Sequence, residues 1–411
     1  MSKRHLHTVL LVFLGLTLLP VAQGQSIHSR VGVGNMVLPQ TARTQGLGVA
    51  GVAVTDYNEI SLINPAGWYL PRLTAVTTKI SSSRATTSLG GTNDYFGFEG
   101  FNFHFPIGRS VGIGVGFAPY SIVNYEFARN ARAALPGSFA GDTLEYSLQQ
   151  QGNGGIGGSF IGFGWRVTDH LAFGAATSFL VGEITVRRTL EVTTGDYLSR
   201  RVLSRTNIYG QNVIAGASYR NLIREGDNLG VRVEIPLSLL VKREDDYSVG
   251  DPETTNFGNL LWPWQFGFGY EIRLGQQWLA VTEGHYWRAE HDLSRVSLTN
   301  SAYHQNDGMQ VGAGVERRAN FNMDGWWNKL AWRAGVRWRQ FLESDAAGNH
   351  SYGFRWVGGI GIPFGRGPLG PGTNRLDVSF FYDHRMSADS TNPTETITGI
   401  QLGFTVSEIW F

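Results

Sequence analysis

The sequence predicts an all-β protein, a transmembrane antiparallel β-barrel of about 14 strands with an N-terminal plug. Three observations carry that prediction. Long runs alternate apolar with polar or small residues, which is the period-two signature of a strand whose two faces meet different surroundings. After the first two dozen residues no stretch approaches 18 consecutive apolar residues, so no helix would span a bilayer. The chain carries 54 glycines, 24 Phe, 15 Tyr and 12 Trp in 411 residues but only 16% charged residues, well below the ~25% of soluble domains.

Met1 to Gly24 reads as a secretory signal peptide. Lys3 and Arg4 form the basic start, Val9 to Leu19 the apolar run, and Ala22-Gln23-Gly24 the small-residue cleavage site. The run is too short to span a membrane; the alternative is a short buried helix. Residues 25–67 lack clean alternation and form a separate unit, which the barrel, residues 68–411, follows.

The strand runs come in sequence order. The clearest has Val231, Val233, Ile235, Leu237, Leu239 and Val241 on one face and Arg232, Glu234, Pro236, Ser238, Leu240 and Lys242 on the other. Another sets Trp332, Ala334, Val336 and Trp338 against Arg333, Gly335, Arg337 and Arg339. A third sets Val111, Ile113, Val115 and Phe117 against Gly112, Gly114, Gly116 and Ala118. The phase slips at Glu99-Gly100, as a β-bulge requires. Fourteen such strands fall near residues 68–80, 96–105, 110–125, 144–166, 170–190, 204–220, 229–243, 262–273, 277–293, 303–317, 328–342, 351–363, 375–386 and 396–411. Many exceed the five or six residues usual in soluble domains and reach the 9–11 of a tilted membrane strand. Three arginines on one strand suit a water-filled lumen better than a soluble core. In a bilayer, strands must close on themselves to satisfy their backbone groups. Short turns at Val167-Thr168-Asp169, Arg224 to Asn228 and Gly275-Gln276 alternate with longer polar connections at 81–95, 126–143, 191–203 and 244–261. That asymmetry places both termini on the periplasmic side of a Gram-negative-type outer membrane. The chain ends on Ile409-Trp410-Phe411, with Phe411 one residue out of phase.

Other chemistry finds little footing. Lys plus Arg number 34 against 33 Asp plus Glu, which offers no basic stripe for nucleic acid. No cysteine is present, which excludes a disulfide scaffold, a thiolate metal site and a cysteine nucleophile. Gly46-x-Gly48-x-x-Gly51 and Gly152-x-Gly154-x-x-Gly157 match a dinucleotide fingerprint literally but lack its strand and helix context, so no cofactor is expected. His285 and His291, near Glu283, Glu290 and Asp292, read as a solvated strand end and loop ahead of a metal site. No Gly-x-Ser-x-Gly elbow is present, and the chain is read as a non-enzyme. Lys242-Arg243-Glu244-Asp245-Asp246 reads as a solvated outer loop.

The segment before Trp68 carries a more specific signal. Ala42-Arg43, then Gly46-Leu47-Gly48, a run of small apolar residues to Asp56, and Asn64-Pro65-Ala66 resemble the N-terminal hatch of the FadL-type outer-membrane transporters of hydrophobic compounds. The PorV-like barrels of a secretion pathway look similar here too. The resemblance implies a hatch in which Gly46, Gly48, Asn64, Pro65 and Ala66 hold or gate the plug; the plain alternative for Asn64-Pro65 is a turn into the first strand. It also implies passive uptake of hydrophobic compounds such as long-chain fatty acids. A ligand would be captured near outer-loop aromatics such as Tyr120, Tyr125 and Phe127 and leave past the hatch or sideways through a strand kink. The partners implied are hydrophobic small molecules and outer-membrane lipid, or a protein if the PorV-like reading holds. A general porin is the other alternative.

Overall fold

A computed structural model describes residues 26–409 apart from residue 31 and segments 89–90, 135–142, 193–198, 290–303, 345–347, 365–372 and 388–393. The signal sequence, Trp410-Phe411, Glu290, His291 and Asp292 lie outside the described residues.

Fourteen antiparallel strands close into one barrel. They are β1 (Thr74–Thr87), β2 (Thr92–Ile107), β3 (Val111–Ala134), β4 (Thr143–Arg166) and β5 (Leu171–Val192). Then follow β6 (Arg200–Arg220), β7 (Asn228–Tyr247) and β8, in two runs, Glu253–Leu260 and Trp264–Leu274. Next come β9 (Trp278–Arg288) and β10, also in two runs, His304–Gln305 and Gly308–Arg317. The wall ends with β11 (Ala331–Ser344), β12 (His350–Pro363), β13 (Arg375–Met386) and β14 (Glu395–Glu408). The seam pairs β14 with β1 from Glu395 opposite Thr87 to Glu408 opposite Thr74, so no edge is left open.

The two faces divide as the alternation requires. Phe173, Phe268, Val336, Trp356, Phe380 and Val406 point outward and stay exposed, forming an apolar outer surface of the kind a membrane barrel presents. Ser379, Thr405, Asp377, Glu316 and Arg333 point inward and are buried. The first strand starts at Thr74, not near Trp68. Asn64 caps a 3₁₀ turn at Pro65–Gly67, with Pro65 in the position that needs no N–H donor, and Trp68, Tyr69, Leu70 and Leu73 are buried before the wall begins.

Connections read as long polar loops are largely strand. β1 runs on to Thr87 and β3 to Ala134, and Lys242 to Asp246 lie on β7, where Lys242 pairs with Glu244 and Arg243 with Asp245. Where both faces of a strand carry polar groups, as in the charged run Lys242 to Asp246, the alternation fades although the ladder continues. β3 to β7 hold 24, 24, 22, 21 and 20 residues, against 11 in β9 and 14 in β14. One flank of the barrel therefore rises about ten residues beyond what a membrane strand needs.

The expected bulge is present. Thr78 faces Phe101 and Ile80 faces Phe98, so Lys79 meets both Glu99 and Gly100, and Gly100 takes φ +114°. Further register shifts were not foreseen, on β3 and β7 and also at Val241/Lys242 against β8 and between Gln340 and Ser344 on β11. Tyr120 is the extra residue on β3, between Pro119 opposite Gly157 and Ser121 opposite Ile156. On β7, Pro236 faces Asn212 and Ser238 faces Gln211, which leaves Leu237 extra. Each bulge reverses the phase. Leu237 and Leu240 are exposed, whereas Leu239 and Val241, assigned by the alternation to the face of Leu237, are buried inside.

Candidate functional site

The interior is occupied by the chain's own N-terminal segment. Every residue from Leu38 to Thr55 is buried. Ser26 N donates to Asn124 O, well up β3, and Asn35 and Met36 pair with Ile122 and Ser121. The segment then descends to helix α1 (Ala42–Gly46), whose N-terminus Thr41 and Thr44 close reciprocally as a capping box.

Glycines on the inner wall admit this backbone. A Cβ on Gly314 or Gly335 would lie 2.1 or 2.2 Å from Leu47 O, and one on Gly174 would lie 2.3 Å from the carbonyl carbon of Pro65. Such separations are far inside van der Waals contact, so larger residues there would displace the segment. Within it, Gly48 adopts φ +72° while packed on the Val336 backbone, and only glycine takes that conformation at little cost.

Polar groups of the wall hold what the glycines admit. The Glu283 carboxylate accepts from the backbone N–H groups of Ala50, Gly51 and Val52 at 2.8, 2.8 and 2.7 Å. Glu271 accepts from Thr55 N at 2.9 Å and from its hydroxyl. Asn64 Nδ2 donates to Val52 O at 2.7 Å, while its Oδ1 accepts from Ala66 N at 3.1 Å. A continuous ion-pair chain follows. Arg43 pairs with Glu316 and, at 3.1 Å, with Asp56. Arg333 bridges Glu316 at 3.0 Å and Asp377 at 2.6 Å. Arg375 joins Asp377, Asp56 and Glu59 at 2.6, 3.2 and 3.3 Å. Burial opposes the charge on Arg43, yet Glu316 and Asp56 raise its pKa above the ordinary value. Burial also pushes the Glu59 carboxyl up to about 7; Arg375 works against that rise, and Asp56 and Asp377 add to it.

This arrangement corrects two sequence readings. Arg333, Arg337 and Arg339 do face inward, but they meet side chains and the N-terminal segment, not a water-filled lumen: Arg337 Nη1 donates to Gln40 Oε1 and Arg339 Nη2 to Met36 O. His285 and Glu283 are buried and bonded to one another, not a solvated strand end. Their inward direction was legible from alternation; their function as holders of the segment was not, because their partners lie more than 200 residues away.

Above the ion pairs the interior turns apolar. Tyr120, Tyr125, Ile156, Leu180, Leu239 and Trp262 form one buried cluster with Val33, Met36 and Leu38 of the N-terminal segment. Tyr120 and Tyr125 are 3% and 1% exposed, and Phe127 packs against the same cluster. All three lie on β3 instead of in an outer loop, because β3 extends to Ala134. Tyr120 Oη shares a hydrogen bond with Ser178, and Tyr125 Oη accepts from Gln150.

Gly46, Gly48, Asn64, Pro65 and Ala66 all fall within the segment at its contacts with the wall. A Cβ on Gly46 would meet Ser379 Oγ at 3.0 Å, and Ala66 is fully buried. A BamG family model matches residues 1–411. The chain belongs to the BamG family. No match was found among curated proteins. Among solved structures, the BamG-family chain is similar to a Pseudomonas aeruginosa FadL homologue (TM-score 0.61, 11% identity), over 92% of this chain and 100% of that one. It is also similar to the Pseudomonas putida toluene transporter TodX (TM-score 0.57, 13% identity; 91% and 99% covered). The Ralstonia pickettii toluene transporter TbuX is comparable (TM-score 0.57, 12% identity; 91% and 99% covered). At these identities the likeness establishes a shared barrel fold.

Proposed function

We propose that this barrel sits in the outer membrane of a Gram-negative-type bacterium and passes hydrophobic compounds such as long-chain fatty acids. The end where β1 starts and β14 finishes is the periplasmic one. The N-terminal segment, residues 25–67, acts as the plug, with Gly46, Gly48, Asn64, Pro65 and Ala66 at its seats. The observation that carries the reading is the apolar cluster above the plug. An inward-facing lining of Tyr, Ile, Leu and Trp suits an apolar molecule and offers little to a hydrated solute. Val33, Met36 and Leu38 fill that space now. Withdrawing them would present Tyr120, Tyr125 and Phe127 to a ligand. The BamG-family chain does no chemistry in this reading, and transport is passive.

The test pairs uptake with plug removal. Protein in liposomes should take up a hydrophobic tracer and exclude small hydrophilic solutes, and deletion of residues 26–66 should raise permeability. Unchanged permeability after the deletion would sink the plug assignment. Conductance of hydrophilic solutes by the intact protein would favour a general porin.

A second reading is a secretion- or assembly-associated barrel that binds a protein partner. The extent of the seal favours it, since a segment buried over 18 residues and held by a chain of ion pairs suits a permanently closed scaffold. A co-purifying protein partner, with neither bound acyl chains nor tracer uptake, would select this reading.

A further inference from the structure

A cavity of about 90 Å³ lies between the N-terminal segment and the wall formed by β10 to β14, β1 and β2. Its lining is strongly basic. Lys79, Arg337, Arg339, Arg355 and Arg385 all reach it. The carboxylates among them are fewer. Glu99 pairs with Lys79 at 3.1 Å. Asp383 serves Arg355 and Arg385, at 2.7 and 3.1 Å, and Glu395 stands 3.8 Å from Arg385. Arg337 and Arg339 have no carboxylate within ion-pair distance among the described residues. Their polar contacts there are neutral, Gln40 Oε1 and Met36 O, and Arg339 also stacks over Trp287 and Phe341. These five cations have three carboxylates within ion-pair distance, and Glu343, paired with His28, acts on Arg339 from farther off.

Donors in the same cavity lack acceptors. Arg339 Nε, Arg355 Nε and Gln45 Nε2 are buried without a hydrogen-bond partner, and Gln45 is 1% exposed. Buried donors without acceptors are costly, and so are cations such as Arg337 and Arg339 that are partly withdrawn from water with no carboxylate in ion-pair distance. A single compact anion with several acceptor oxygens answers both, because arginine forks match planar or tetrahedral oxyanions. The volume admits a group the size of a carboxylate or phosphate and no long chain.

We infer that this cavity is a binding site for one small oxyanion, a carboxylate or phosphate, held by Arg337 and Arg339 against the N-terminal segment. The inference concerns the charge of the closed interior and does not depend on what crosses the barrel.

The test heats purified full-length protein in detergent, in sodium chloride, phosphate, acetate or decanoate at matched ionic strength. The unfolding midpoint should rise above the chloride value with at least one oxyanion. That rise should vanish in R337Q/R339Q and survive in R337K/R339K. A rise with phosphate or acetate assigns a free anion; a rise with decanoate alone assigns the carboxylate head of an amphiphile. No rise with any of the three, or an equal rise in R337Q/R339Q, overturns the proposal. Should R337Q/R339Q not fold, native mass spectrometry of the unaltered protein with phosphate and with decanoate decides: a one-to-one adduct of either supports the site, and the absence of both removes it.

Discussion

Glu283→Ala tests how the segment is held. The carboxylate is 3% exposed and accepts three backbone N–H groups of residues 50–52 within 2.8 Å. Truncation leaves those donors buried without an acceptor, at about 1–3 kcal/mol each. Since the three share one acceptor, their effects overlap, and a total of about 3–6 kcal/mol is expected. At ~1.4 kcal/mol per factor of ten, local opening at residues 50–52 should become ~10²–10⁴ times more frequent. Amide hydrogen exchange on peptides covering residues 45–56, in detergent, reads this directly. Exchange should accelerate there while peptides from β12 and β13 stay protected. Glu283→Gln keeps an acceptor oxygen and should fall between. Unchanged exchange at residues 50–52 in Glu283→Ala would refute the argument, because the wall would then be holding the segment by packing alone.

Further outcomes can be stated together. Gly335→Val should loosen the segment, since a Cβ there falls 2.2 Å from Leu47 O; Gly284→Val, with nothing within 4 Å, should leave exchange at residues 45–56 unaltered. The Glu59 carboxyl is shifted upward to about 7, so its neutral form stabilises the fold below pH ~4.5 and that contribution fades as pH rises through 7. Glu59→Gln should flatten this part of the stability profile, by up to about 3 kcal/mol across that interval, and thermal unfolding from pH 4 to 8 would show parallel curves if the reasoning fails. Trp262→Ala, at a side chain 1% exposed in the apolar cluster, should cost about 3–5 kcal/mol and raise binding of a hydrophobic fluorescent probe. A destabilised variant without added probe binding would mean the cluster collapses instead of opening.

The barrel was legible because alternation is written wherever one face meets lipid and the other does not. Trp332 to Arg339 showed both faces correctly, and Glu99-Gly100 announced its bulge. Leu239 and Val241 misled for a definite reason: they are as apolar as Leu237, and only the extra residue at the β7 bulge turns them inward. An apolar interior and a lipid-facing wall have the same composition, so the chamber around Tyr120 and Trp262 was hidden in the strand pattern. The small residues of the N-terminal segment were conspicuous, but the matching glycines on ten different strands could not be paired with them by sequence, since those partners are set by barrel closure. Arg333 signalled an unusual interior; nothing local to it named Glu316 or Arg43 as its companions.

The course of the N-terminal segment sets an order of events. Ser26 lies beside Asn124 and bonds to Glu395 and Arg385, so this residue sits high within the bore and the segment runs down from it before β1 starts. The described part of the N-terminal segment, from Ser26 to Leu73, is encircled by a wall whose seam joins β14 to β1. Threading a finished ring from below would drag buried charges through it. The cylinder must instead wrap around its own beginning, and the β14–β1 zipper, formed between the most distant parts of the chain, is the last to be drawn shut.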